Sequence, residues 1–213
     1  VILLKAEMKI FVIFFMVCTA LFCFANTNTL ASGDENNQRI EMLERVGSIY
    51  FQEGDLDAAL DVFNRILAID PYHKQTRVLK GLIFVSTARY KEAIENMAAL
   101  VEEYPNDYQA MNNLAWVYAT STDKKCRNAQ LSVELAQKAL VLSPYDHHVW
   151  STLSEAYYVA GDYEKANRAI LHLVKLSTSK GAKMSKDMVD TYNKQIRKCQ
   201  RAIEAELLLK ESQ

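Results

Sequence analysis

Residues 43–71 read LERVGSIYFQEGDLDAALDVFNRILAIDP, and residues 77–105 read RVLKGLIFVSTARYKEAIENMAALVEEYP. Aligned so that Pro105 falls on Pro71, the two stretches share a glycine, an aromatic residue, an alanine and the closing proline. The other matched positions are Gly47 and Gly81, Tyr50 and Phe84, and Ala59 and Ala93. An internal repeat with a period of about 34 residues is typical of an array of stacked helical units.

Two further copies of the pattern follow. Pro144 follows Pro105 at one period plus five inserted residues. The third copy carries Met111, Leu114, Ala115, Tyr118, Ala136 and Ala139. The fourth copy carries Trp150, Leu153, Ser154, Tyr157, Gly161, Asp162, Ala166 and Ile170, and its closing position is Thr178. The repeat therefore predicts four units.

The residue types of the repeat are those that pack one helix against another. A small residue at Gly47, Gly81, Ala115 or Ser154 allows two helices to approach closely, and the large residues around it form apolar faces at helical spacing. Gly54-Asp55 and Gly161-Asp162 are turn signals, because glycine adopts the left-handed backbone that ends a helix and Asp suits the start of the next. Each unit is thus expected to be a helix, a tight turn and a second helix.

These residues resemble the tetratricopeptide repeat family, whose unit is a helix-turn-helix of about 34 residues. The resemblance covers residues 39–178 and implies an all-α fold, a right-handed superhelical solenoid. The four expected units are 39–72, 73–106, 107–145 with the insertion, and 146–178. The sequence departs from the family pattern at Leu43, where Trp is usual, at Ala88, where Gly is common, and in the insertion around residues 121–130.

Residues 183–211 predict one more helix, a C-terminal cap on the last unit. Its apolar residues recur at helical spacing with charges between them, as a terminal helix with a polar outer side requires. They are Met188, Val189, Tyr192, Ile196, Cys199, Ile203 and Leu207. A fifth repeat is the alternative, but the Gly-aromatic-Ala-Pro series is missing.

The N-terminal segment predicts export. Lys9 precedes an uncharged apolar run from Ile10 to Ala25, and small polar residues follow. This pattern is typical of a signal peptide, and we assign it to residues 1–31 with the natural start at Met8. Cleavage is expected after Ala25 or Ala31, leaving residues 32–38 as a short linker. The alternative is an uncleaved anchor, although the run is shorter than the roughly 20 residues that span a bilayer.

Charge and cysteine content predict no special chemistry. The chain has 25 basic and 26 acidic residues, a net charge of −1, so no basic footprint for nucleic acid is present. One basic stripe is expected on a helix face, formed by Lys194, Arg197, Lys198 and Arg201. Outside the signal segment only Cys126 and Cys199 remain, and whether they pair is open at this point.

The sequence provides no reason to expect catalysis, a cofactor or a metal site. It contains no phosphate-binding glycine loop, no nucleophile motif and no paired-carboxylate motif. Asp146, His147 and His148 are adjacent, but neighbouring residues on a helix point about 100° apart, and we interpret them as solvated residues at a helix start.

The resemblance to the family implies a function in binding proteins. In that family the first helix of each unit lines a concave groove that holds a peptide or helix of a partner. The corresponding candidates are Glu44, Ser48, Phe51, Gln75, Val78, Leu82, Val85, Gln109, Asn112, Trp116, His148, Ser151, Glu155 and Tyr158. The Lys and Asn residues with which some members bind a C-terminal carboxylate are not matched.

The sequence therefore predicts an exported adaptor or assembly factor that works without catalysis, most simply in the bacterial periplasm. The expected partner is another protein and not a nucleic acid. The alternative is a structural subunit of a membrane complex, anchored in the inner membrane by an uncleaved N-terminal helix and facing the periplasm.

Overall fold

The computed structural model describes residues 34–179 and 185–212. The predicted signal segment, residues 1–31, and the first two residues of the predicted cap lie outside the described residues. The described part of the chain is helical and contains no strand, as the repeat pattern predicts. Its α-helices are α1 (34–53), α2 (Leu56–Ile69), α3 (Lys74–Ser86), α4 (Tyr90–Glu103), α5 (Tyr108–Thr120), α6 (Ala129–Leu142), α7 (His147–Val159), α8 (Tyr163–Ser179) and α9 (Lys186–Glu211).

The chain divides into two compact units after His73. In the first unit, α1 and α2 form a hairpin around Gly47, which is buried. A Cβ atom at Gly47 would lie 2.5 Å from the ring of the fully buried Phe63. The turn uses Gly54 at φ +81, and the side chain of Asp55 accepts a hydrogen bond from the Ala58 N–H to start α2. The small residue and the Gly-Asp turn thus act as the sequence predicts.

The second unit, from Lys74 onward, repeats the hairpin three times as α3–α4, α5–α6 and α7–α8. In two of these hairpins a serine hydroxyl lies at the helix crossing and donates to a backbone carbonyl. Ser132 Oγ donates to Ala115 at 2.7 Å, and Ser154 Oγ donates to Ala166 at 2.9 Å. All four residues are fully buried, so the close helix approach also satisfies the buried hydroxyls.

The insertion in the third copy lengthens a turn without breaking the hairpin. Residues Lys124–Cys126 form a short 3-10 helix, and Asp123 accepts from the Lys125 N–H at its start. Arg127 Nε donates to the Ser121 carbonyl at 2.6 Å, which ties the two ends of the loop together. Asn128 then caps α6 by accepting from the Leu131 N–H.

Helix α9 covers the last hairpin, as predicted. Tyr192 is buried against Ile170 and Leu173 of α8, and Met188 and Ile196 pack at the edge of this cluster. The preceding helix α8 has 17 residues, whereas the equivalent helices α2, α4 and α6 have 14. In α8 the position equivalent to the closing prolines is Thr178, which lets the helix continue. The array therefore ends on a helix with its apolar side inward.

The structure corrects one expectation from the sequence and answers one open question. The correction concerns residues 34–38, which were assigned to a linker but are helical, since α1 is described from residue 34 onward. The question was whether the two cysteines pair. Cys126 and Cys199 are both free thiols, and burial raises the pKa of Cys199.

None of the helices in the described ranges combines the length and the apolar character that crossing a membrane requires.

Replacing Ala88 by Gly should stabilise the second unit. Ala88 has φ +57, the left-handed conformation that the equivalent turns reach with Gly54 and Gly161. An L-residue in that conformation costs about 1 kcal/mol, and Ala88 is exposed, so the methyl group contributes little packing. We expect Ala88→Gly to raise the free energy of unfolding by about 0.5–1 kcal/mol in urea titration. Gly161→Ala should lower it, and a Gly161→Ala variant as stable as wild type would contradict this interpretation.

Truncation after Thr178 should destabilise the protein, whereas truncation after Ile203 should not. The first change uncovers Ile170 and Leu173 of α8, which α9 buries. The second removes residues of α9 that are mostly exposed. Thermal unfolding and size-exclusion chromatography of both variants measure the difference. An unchanged melting temperature for the first truncation would show that α9 is not a cap.

Candidate functional site

One groove in the second unit is lined by residues of α3, α5 and α7. Its volume is about 580 Å³. Eight of the candidates that the family resemblance implied lie together along it: Gln75, Val78, Leu82, Gln109, Asn112, Trp116, His148 and Ser151. The repeat brings them together because the groove residues lie one position after, or three or six positions before, the small buried residue of each first helix. At about 100° per residue these positions share one side of the helix, roughly 60–120° away from the crossing.

The groove combines aliphatic, aromatic and amide groups. Val78 and Leu82 of α3 are half-buried, and the Trp116 side chain of α5 is 38% exposed. Gln75 and Gln109 lie exposed at the N-terminal ends of their helices. Such a surface can bury apolar side chains and also hydrogen-bond a peptide backbone.

Asn112 provides an unsatisfied acceptor in this groove. Its Oδ1 atom is buried and has no hydrogen-bond partner in the described part of the chain. A buried acceptor without a donor costs about 1–3 kcal/mol. Because this oxygen atom has almost no exposed surface, the Asn112 side chain must turn toward the groove before an incoming N–H group can bind it and remove that cost.

The groove has further lining residues that the sequence pattern missed. They are Lys74, Leu79, Asp107, Tyr108, Asn113, Asp146 and Val149. Asp107 and Asp146 are the N-cap residues of α5 and α7, where their side chains accept from backbone N–H groups. The Asp two residues after Pro105 and two residues after Pro144, directly before α5 and α7, was the signal that could have found these two, because N-caps of equivalent helices recur at equivalent places.

An ion pair neutralises part of the groove. Lys74 Nζ lies 2.6 Å from Asp107 Oδ2. Partial burial by itself raises the pKa of Asp107, but hydrogen bonds from Lys74 and from the Ala110 and Gln109 N–H groups outweigh it, so the net pKa is lowered. Asp107 is therefore held as a carboxylate. Asp146 has no cationic partner among the described residues, and it leaves one uncompensated negative charge at the groove.

Three other candidates of the second unit do not line this groove. Val85 is half-buried on α3. Glu155 and Tyr158 of α7 are engaged by α9, since Lys198 Nζ lies 2.8 Å from Glu155 Oε2 and 3.9 Å from the centre of the Tyr158 ring. The sequence pattern did not reveal this contact because it depends on how α9 packs.

The three candidates on α1, Glu44, Ser48 and Phe51, are half-buried in the first unit. Glu44 Oε1 lies 3.8 Å from His73 Nε2 there. Their part in any binding site stays a prediction.

The four residues of the predicted basic stripe on α9 differ in exposure. Lys194, Arg197 and Arg201 are exposed, whereas Lys198 is half-buried at Glu155.

The histidines at the start of α7 stack with each other, their ring centres 4.0 Å apart. Burial, and then the neighbouring His148, lower the pKa of His147. Across residues 34–179 and 185–212, no group of three or more His, Cys, Asp or Glu side chains is arranged to bind a metal ion.

Comparison with known proteins gives a family match over most of the chain. A family model described as "Psidin, N-terminal TPR repeats region" matches residues 44–184. Among curated proteins, ER membrane protein complex subunit 2-B of Xenopus laevis is 29% identical over 108 residues, which cover 51% of this chain and 35% of that protein. The chain thus matches only about a third of this relative's length.

Solved structures of similar fold are found in bacteria. MamA from residue 41 to its end, of Desulfovibrio magneticus RS-1, has a TM-score of 0.57 and 25% sequence identity, covering 66% of this chain and 76% of that one. TTC0263, a TPR protein of Thermus thermophilus, has a TM-score of 0.57 and 18% identity, covering 81% and 96%. The second likeness concerns the fold alone.

Proposed function

The chain belongs to the tetratricopeptide-repeat family, and we infer that it is a non-catalytic adaptor or assembly factor that binds a segment of a partner protein. The observation that carries this proposal is the groove of α3, α5 and α7, which is lined by eight of the candidates that the family resemblance implied. Capture of a helix or an extended peptide in a groove is a common mode of protein recognition.

The groove chemistry suits a short peptide segment with apolar side chains. Its volume of about 580 Å³ accommodates a few side chains. Val78, Leu82 and Trp116 would bury aliphatic groups, and Asn112, once its side chain turns toward the groove, would accept a hydrogen bond from a backbone N–H. Burial of an apolar side chain contributes about 1.5–3 kcal/mol, so a few contacts of this kind provide measurable affinity.

The charge of the groove favours a basic residue in the partner segment. Lys74 and Asp107 compensate each other at 2.6 Å, whereas Asp146 stays uncompensated. A lysine or arginine of the partner placed at Asp146 would gain a charge-assisted hydrogen bond.

Catalysis is not part of this proposal. The carboxylates at the groove are N-caps that hold backbone N–H groups. The remaining polar groups are four amides together with Lys74, Tyr108, His148 and Ser151, and the Ser151 hydroxyl makes no hydrogen bond to His148 in the described part of the chain. Amides and capping carboxylates position a ligand, whereas acid–base or nucleophilic chemistry needs a nucleophile beside a base.

We place this adaptor outside the cytoplasm. The support is the apolar run from Ile10 to Ala25 followed by small polar residues. An adaptor exported in this way would act on other exported or envelope proteins.

A second candidate function is a structural subunit of a membrane complex. It is favoured by the similarity to a protein named as a subunit of an ER membrane protein complex. In this case the N-terminal run would remain as an anchor, and the helical array would hold other subunits.

N-terminal sequencing of the protein from cells distinguishes the two functions. The exported adaptor should begin between Asn26 and Asp34 and be recovered without detergent, because the short apolar run is removed. A product that starts at Met8 and stays with the membrane fraction would instead support the anchored subunit.

The double variant Leu82→Ala with Asn112→Ala should reduce partner binding. It removes an aliphatic contact and the amide acceptor from one groove, and each truncation at a binding hot spot costs of order 1 kcal/mol or more, a several-fold loss of affinity. Partners captured from envelope extract would be quantified by mass spectrometry with wild type and variant side by side. Circular dichroism should first establish that the variant is folded.

Two controls accompany this variant. Leu142→Ala with Asn193→Ala removes the same chemical groups from exposed positions outside the groove and should leave capture unchanged. Lys194, Arg197 and Arg201 changed together to Ala test the basic stripe. Capture that survives the groove variant and disappears with the stripe variant would show that α9 is the recognition element.

A further inference from the structure

The last helix is longer than a cap requires. Helix α9 has 26 residues and is about 39 Å long, whereas α7 has 13 residues and is about 20 Å long. Its buried residues, Tyr192, Gln195 and Cys199, extend no further along the helix than Cys199, close to its midpoint. The second half of α9 therefore extends past the surface that it caps.

This second half carries an exposed apolar cluster. Leu207, Leu208 and Leu209 are 54%, 66% and 66% exposed. Consecutive residues point in different directions around a helix, so the three leucines cover more than half of its circumference. Contiguous exposed apolar surface of this kind is typical of an interaction site. We call residues 204–211 the leucine tail.

A mainly apolar cleft of about 510 Å³ lies elsewhere on the second unit, lined by residues of α6, α7 and α8. Its walls include Leu140, Val141, Trp150 and Ala169. Val141 is 82% exposed, which is unusual for an aliphatic residue beside an apolar cleft. No residue of α9 lines the cleft, so the leucine tail of the same chain does not fill it.

The charges around the two surfaces are complementary. Lys165 and Arg168 line the cleft, and Lys165 is closely paired with Asp162 of its own chain. Arg168 Nη1 lies 3.8 Å from Glu164 Oε2, and both side chains are about two-thirds exposed or more. An exposed ion pair of this kind contributes little free energy, so Arg168 can exchange Glu164 for a carboxylate of another molecule at little cost. The leucine tail carries Glu204 and Glu211, which form no ion pair with any described residue.

We propose that two copies of this chain associate head to tail, with the leucine tail of one copy in the α6–α8 cleft of the next. Leucine side chains bury the exposed Val141 and the cleft walls, and a tail glutamate meets Arg168. The two surfaces of such a contact differ, so a free cleft and a free tail remain after the first association. Interfaces of this type build rings or open chains of subunits.

The test uses the purified full chain in a non-ionic detergent, with tagged and untagged copies mixed in equal amounts. Val141→Asp disables the cleft and Leu208→Asp disables the tail, and both positions are exposed enough for the fold to survive. The tagged wild type should retain untagged wild type. Each variant should retain its own untagged copy at least about tenfold less, because a charge replaces a central apolar contact.

Mixing the two variants gives the decisive result. A tagged Val141→Asp copy still has its tail, and an untagged Leu208→Asp copy still has its cleft, so this pair should be retained through one intact contact. Met42→Asp, at a similarly exposed residue of α1, is the matched control and should behave as wild type. Thermal melting checks that all variants are folded.

Three outcomes would overturn the proposal. The first is that wild-type copies fail to retain each other. The second is that Val141→Asp copies retain each other as wild type does while Leu208→Asp copies do not, which indicates pairing of two tails. The third is that the mixed variant pair is not retained although wild type is.

Discussion

The close approach of two helices at a small residue is the constraint on which the rest of this structure depends. A Cβ at Gly47 would meet the buried ring of Phe63 at 2.5 Å, and one at Gly81 would meet Asn96 Nδ2 at 2.9 Å. Asn96 is itself fixed, since it donates to the Arg77 carbonyl at 2.8 Å. A side of the helix used for such a crossing cannot also contact a ligand, so the groove residues lie on the adjoining side, roughly 60–120° around the helix. The packing of each hairpin thus decides which residues can line a groove.

Aspartate at helix N-caps connects this packing to the electrostatics of the groove. Asp107 and Asp146 start α5 and α7 by accepting from backbone N–H groups, and the same carboxylates line the groove. One of them is compensated by Lys74 and the other is not. A residue needed for helix formation therefore also sets the local charge, and replacing it would alter stability and binding together. For this reason Leu82 and Asn112, which cap no helix, are better probes of binding.

Much of the fold could be predicted from the sequence because its determinants are local. The spacing of Gly47 and Gly81 and the Gly-Asp turn at Gly54 indicated helix, turn and helix directly. The engagement of Glu155 and Tyr158 by Lys198 could not be predicted, because it depends on the position of α9 relative to α7. Contacts within a repeat unit follow from the repeat pattern, whereas contacts with a terminal helix that lacks the pattern do not.

Helix α9 shows how stability and surface properties can be separated along one element. Its first half is fixed by Tyr192 in the core of the last hairpin and by the Lys198–Glu155 ion pair, so its position is determined before the second half begins. Beyond Cys199 the helix contributes no buried residue and is held only as a continuation of the same helix. Changes at Leu207–Leu209 are therefore nearly free of consequences for folding. Polar residues at these exposed positions would support the folded structure equally well. The leucines therefore point to contact with another molecule.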